Sequence, residues 1–204
     1  MSKPFRLHRA RLETLVDGVF AIAMTILVLE LKVPELIDPR SANELMSALA
    51  HHGSVIGAYF FSFGMLAVFW IWHHRLAATL HEIDLSLLVC AIALLAMVCF
   101  FPFATALLGR YPTNVSALLV YVSVLGLIIL LQTLFFRIAI RHRMILDTIL
   151  KKEVLAAHAK NVRGCAIFCL ACIPTALRLN IYAAIGCGIL GGLLVWRARG
   201  ISRS

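Results

Sequence analysis

Charge is what this chain has least of. Asp, Glu, Lys and Arg make up 14% of its 204 residues while 62% are hydrophobic, against roughly 25% charged for an average soluble domain. So little charge cannot solvate the surface of a domain in water, and the deficit predicts an all-α polytopic membrane protein with no separate soluble domain. Acidic groups are scarcest, ten in all. No Gly-rich phosphate loop, nucleophile triad or metal quartet is present, so neither an enzyme nor a cofactor or metal site is expected. A cleavage site is missing too: the basic start MSKPFRLHRARLE leads into no short apolar run with a small-residue end, and the first helix is expected to act as a retained signal anchor.

Six cysteines are present, all in apolar stretches. Cys165, Cys169 and Cys172 share a helix face, but no His or acidic residue joins them as a fourth ligand. They read as small hydrophobes, and no disulfide is expected.

The basic excess, +9 overall, is unevenly placed. Lys3, Arg6, Arg9, Arg11, Arg75, Arg137, Arg141, Arg143, Lys151, Lys152, Lys160, Arg163, Arg197, Arg199 and Arg203 fall on the side shared by both termini and the second and fourth connections. Only Lys32, Arg40, Arg110 and Arg178 fall on the other. This is the positive-inside pattern, with both ends in the cytoplasm and a basic face toward anionic lipid, and it explains the charge without a nucleic-acid partner.

Hydropathy and breakers predict six transmembrane helices, at about 15–33, 53–72, 85–108, 115–136, 164–177 and 181–196. Pro34 stops the first. Ser41-Ala-Asn-Glu44 has a capping-box pattern that starts a helix ahead of the second, and Pro102 sits near the outer end of the third. The connection 137–163 is basic and amphipathic, suited to the cytoplasmic surface. The last two spans are short, equally readable as a hairpin that crosses only partly, and Gly188 and Gly192 have a GxxxG spacing.

The segment Arg11 to Pro34, RLETLVDGVFAIAMTILVLELKVP, is the anomalous one. Asp17 and Glu30 leave twelve uncharged residues between them, roughly 18 Å of helix against a hydrocarbon core of about 30 Å. A carboxylate must therefore lie at membrane depth, where it needs protein or a water-filled path beside it. On a helical wheel Ile22, Thr25 and Leu29 form one stripe, with Glu13 and Asp17 on the opposite side. Such a helix suits either a pore lining or an ordinary apolar packing face.

This segment resembles the first helix of the transmembrane protein 175 family, the lysosomal potassium channels and their prokaryotic homologues. The family signature, Arg-x-x-x-Phe-Ser-Asp followed by a Gly-Val-Phe-Ala-Ile-type run, Thr and Leu-Glu-Ile-Lys-Val-Pro, is matched by Arg11, Asp17, Gly18, Val19, Phe20, Ala21, Ile22, Thr25, Leu29, Glu30, Lys32, Val33 and Pro34, while Leu15 and Val16 replace its Phe and Ser. Phe69 to Leu76, FWIWHHRL, is similar to the FWxxHHRL that ends the second helix, and Phe101 to Gly109, FPFATALLG, to the LPFPTALLG that ends the third.

The resemblance implies a potassium-permeable cation channel of six helices per subunit, assembled as a homotetramer in the cell (plasma) membrane with the first helix lining a central pore. It implies a hydrophobic constriction at Ile22, a further apolar ring at Leu29 and a hydroxyl ring at Thr25, in place of a TVGYG carbonyl filter, which this sequence lacks. It also assigns Arg11, Asp17, Trp70, His73 and His74 to anchoring between helices. An ideal helix, however, places Arg11 near the Ile22 stripe rather than beside Asp17. His73 and His74, being adjacent, cannot share a helix face, which argues against a joint metal site. Their alternative role is proton sensing. His51, His52, Glu82 and Asp84 read as boundary or solvated residues.

The competing reading is a proton- or cation-coupled secondary transporter. Against it, no acidic residue lies mid-span beyond the first helix, and no pair of broken helices recurs in matching halves.

Overall fold

A computed structural model describes residues 7–144. The expected fifth and sixth spans, the cysteines at 165, 169 and 172, and the GxxxG pair lie outside the described residues. Within them the elements run in the order β1 (Leu7–His8), α1 (Arg9–Ile26), a 3-10 turn (Leu27–Glu30), α2 (Ala42–His51), α3 (Gly53–Ala77), β2 (Glu82–Ile83), α4 (Leu85–Arg110) and α5 (Val115–Arg141). Four stretches are long and apolar enough to cross a membrane: Arg9–Glu30, Gly53–Ala77, Leu85–Arg110 and Val115–Arg141.

The first of these starts at Arg9 and closes at Glu30, where the sequence pattern suggested 15–33. Residues 31–36 have no regular structure, as expected before and around a proline, which disfavours helix at the residue preceding it. The 22 residues from Arg9 to Glu30 reach about 33 Å if helical throughout, enough for the hydrocarbon core. Extension at the N-terminal end thus resolves the shortness between Asp17 and Glu30, and it leaves Asp17 inside the span.

Ser41 caps α2 by accepting from the Glu44 N–H at 3.3 Å. The reciprocal half of a capping box is replaced: the Glu44 carboxylate accepts from the backbone N–H groups of Ile37 (2.7 Å) and Asp38 (3.1 Å). Those two donors hold the Glu44 carboxyl below the usual glutamate range, slightly opposed by desolvation.

Helix α4 packs against α1, α3 and α5, and its buried Leu94, Val98 and Phe101 join Phe20 of α1, Leu66 and Phe69 of α3, and Leu125, Ile128 and Phe135 of α5 in one core. Two buried polar contacts set the register of α3 on α5. The Ser62 and Tyr121 hydroxyls meet at 2.9 Å, and Gln132 Nε2 donates to the Phe69 carbonyl at 2.9 Å. At the far end of α4, Gly109 lies so close to α3 that a Cβ would stand 3.1 Å from Val55 Cα. Its carbonyl accepts from Ser54 Oγ at 3.0 Å, so glycine there permits a close helix crossing.

Candidate functional site

Helix α1 has two distinct faces. Leu12, Val16, Phe20 and Ala23, followed by Leu27 in the 3-10 turn, are buried, a period of 3 to 4 residues that lays one stripe against α3 and α4. The opposite stripe carries Arg11, Thr14, Gly18, Ala21, Ile22, Thr25 and Leu29, all exposed. Ile22 is 59% exposed and Leu29 71%. Leu29 lies in the 3-10 turn rather than the α-helix, yet still falls on this side.

The Thr25 hydroxyl donates to the Ile22 carbonyl at 2.8 Å. Its proton is therefore directed into the helix backbone, and the remaining lone pairs of Oγ1 are left to face outward. An oxygen so oriented can accept, and can coordinate a cation, without losing an internal hydrogen bond.

Asp17 and Trp70 are brought together: the indole Nε1 donates to Asp17 Oδ1 at 2.8 Å, joining α1 to α3. His74 stacks on the same indole, with ring centroids 5.8 Å apart. His73 points elsewhere. It is 2% exposed, its ring lies 5.0 Å from that of Phe135 on α5, and its Nδ1 has no hydrogen-bond partner among the described residues. The two histidines thus face different neighbours, as adjacent residues on a helix must.

Arg11 is exposed on the Ile22 side. The ion pair of that turn is instead Arg9 with Glu13, at 2.9 Å. Arg9 also donates through Nη1 to the carbonyls of Ala78 (3.0 Å) and Leu80 (3.4 Å), tying the start of α1 to the connection after α3. The i, i+4 spacing of Arg9 and Glu13 was the visible signal for their pairing; the reach of Arg9 to residues some seventy positions away had none. Asp84, read from the sequence as a boundary residue, caps α4 by accepting from the Leu87 N–H at 2.8 Å and pairs with His142. Among the described residues no group of three or more His, Cys, Asp or Glu side chains could hold a metal ion.

The chain is similar to known proteins in sequence and in fold. Residues 11–102 match the family model of the endosomal/lysosomal potassium channel TMEM175. A potassium channel from Chamaesiphon minutus is 32% identical over 150 residues, which are 74% of this chain and 73% of that protein. The human endosomal/lysosomal proton channel TMEM175 is 36% identical over 75 residues, 34% of this chain and 15% of its own length. The crystal structure of a lysosomal potassium-selective channel TMEM175 homologue from Chamaesiphon minutus superposes with a TM-score of 0.74 at 29% identity, covering 93% of this chain and 97% of that one. The residues matched by the family model include α1 from Arg11 onward, the Trp70 and His74 that pack at its side, and most of α4. The chain is a membrane protein of the TMEM175 family of cation channels.

Proposed function

We propose that this protein is a potassium-permeable cation channel in which four copies surround a central path lined by α1. Both termini lie on the cytoplasmic side of the plasma membrane, and two further spans follow α5. The observation that carries this reading is the exposed stripe of α1, with Ile22, Thr25 and Leu29 directly opposite the residues that pack it onto α3 and α4. Fourfold closure turns each of these residues into a ring.

The rings differ in chemistry. Ile22 and Leu29 narrow the path and resist wetting, so they gate without any moving plug. Thr25, about 4.5 Å along the axis from Ile22, offers outward hydroxyl oxygens that partly replace an ion's lost water. Potassium is favoured over sodium because it gives up its hydration shell at lower cost, and hydroxyl oxygens without a carbonyl cage make the preference moderate. Asp17 lies off this stripe. It acts as an anchor through Trp70, with His74 beside the indole, while Arg11 faces the exposed stripe and His73 packs on Phe135 of α5. A passive path needs no coupling site, which sets this reading against a coupled transporter.

The test is flux through purified protein in liposomes, with potassium and sodium gradients compared and a pH probe included because vertebrate relatives are proton channels. Potassium flux exceeding sodium flux, with no need of a coupling ion, is the expected result. Absence of flux from folded protein overturns the reading. Ile22→Asn makes the constriction wettable and is expected to raise flux or weaken ion preference. Thr25→Ala is expected to reduce potassium preference while the path stays open. If both variants behave as wild type, the constriction lies elsewhere.

A further inference from the structure

The end of the bundle where α3 closes and α4 begins is held by groups that the exposed face of α1 does not use. Asp84 spends one oxygen on the Leu87 N–H as N-cap of α4, and the other meets Nδ1 of His142, the residue that closes α5. Helix α5 ends in a Schellman turn. The N–H of Arg143 bonds the Ile140 carbonyl at 3.2 Å and that of Met144 bonds the Ala139 carbonyl at 3.0 Å. Arg143 stands at φ 54, a left-handed position that usually takes glycine. The Met144 carbonyl then accepts from the His81 N–H at 3.1 Å. One side of the connection between α3 and α4 is thereby fixed to α5.

Its other side is fixed to the start of α1. Leu7 pairs with Ile83 and His8 with Glu82 in an antiparallel ribbon, and Arg9 donates to the carbonyls of Ala78 and Leu80. The connection is the only piece of chain among the described residues that touches both the N-terminal ribbon and the end of α5 through these bonds.

The helix ends make the Asp84–His142 contact electrostatically consistent. The N-terminus of α4 favours a carboxylate and the C-terminus of α5 favours an imidazolium. The contact is an ion pair as well as a hydrogen bond while the imidazole holds its second proton, and a weaker bond from a neutral N–H to the carboxylate once that proton is lost. We infer that Asp84 and His142 form a proton-responsive latch that sets how firmly the start of α1 is held against the connection between α3 and α4.

Other charges surround it. His8 stands opposite Glu82 in the ribbon, Arg9 is paired with Glu13, and Arg141 and Arg143 flank His142 in the chain. His74, near the end of α3, is stacked on Trp70 instead. Because His8 and His81 belong to the same junction, the pair is isolated by substitution rather than by pH alone.

The test is a double-mutant cycle on the full chain in detergent, using Asp84→Asn, His142→Gln and both, with unfolding midpoints taken at about pH 6 and about pH 8.5. Asparagine still caps a helix, so Asp84→Asn removes the charge and spares the cap. At the lower pH each single substitution is expected to cost about 2–4 °C and the double variant no more than either, with the coupling clearly smaller at the higher pH. Coupling absent at the lower pH, or equal at both, overturns the latch. If His142→Gln does not fold, Asp84→Asn against wild type decides: a larger deficit at the lower pH supports it and equal deficits overturn it. Amide exchange at one fixed pH then tests transmission. Asp84→Asn is expected to speed exchange about threefold or more in both 78–84 and 7–15, and acceleration confined to 78–84 overturns the link to α1. No readout involves ion passage, so failure here is distinct from failure of the channel reading.

Discussion

Asp17 sits eight residues into α1, which begins at Arg9, or roughly 12 Å along the axis. Asp17 is not covered by the described part of its own chain, and Trp70 Nε1 supplies its carboxylate with a donor at 2.8 Å. Trp70→Phe keeps an aromatic ring beside His74 and deletes only the N–H. Loss of a hydrogen bond to a charged group is expected to cost about 1.5–3 kcal/mol, read as a lowered midpoint in circular dichroism. Asp17→Asn combined with Trp70→Phe should then cost less than the sum of the two, because they remove one interaction. An unchanged midpoint in Trp70→Phe would remove Asp17 from its anchoring role. Arg11, by contrast, points to the exposed stripe, since residues 11 and 22 are three turns apart and fall on one side of the helix.

At the scale of elements, Ser41 caps α2 while Glu44 holds the turn ahead of it. Glu44 accepts from two backbone N–H groups of the preceding turn, and these lower its pKa from the ordinary 4.5. A carboxyl whose folded pKa is depressed contributes stability above its unfolded value, and that contribution is lost as pH falls through the folded value. Amide exchange at Ile37 and Asp38, corrected for intrinsic rates, is therefore expected to rise only once the pH drops below 4.5. Glu44→Gln should show the faster exchange already at neutral pH. Equal protection in the variant and the wild type would mean that the turn stands without the carboxylate. The end of the first span is local too: after α1 the chain tightens to a 3-10 turn before residues 31–36 leave regular structure, and Leu29 stays on the exposed side.

At the scale of the whole molecule, α4 takes the centre and α1 is left half-covered, with a continuous apolar and hydroxyl stripe that no described element of the same chain packs against. If copies of the chain cover it, chemical crosslinking in native membranes is expected to give a ladder that ends at four. A ladder ending at two, or none, would overturn the tetramer and require the stripe to face lipid.

Much of this was legible beforehand. Apolar runs bounded by residues such as Pro34 and Asp84 mark the long helices because a chain in lipid must satisfy its backbone internally, and the stripe of Ile22, Thr25 and Leu29 follows from the 3.6-residue period alone. The start of α1 at Arg9 was less visible, because what holds that first turn is the reach of Arg9 to Ala78 and Leu80. Asp84 looked solvated because its partner His142 lies 58 residues away, and nothing in local spacing announces such a pair. His73 and His74 carry the same side chain in adjacent positions, yet one is enclosed against Phe135 and the other lies on Trp70. The sequence by itself determined the membrane setting, the four apolar helices among the described residues and the side of α1 that carries Ile22, Thr25 and Leu29, since composition and periodicity are local properties of the chain. Only the tertiary structure decided which charges meet and which histidine is enclosed, since those depend on helices brought side by side from distant parts of the chain.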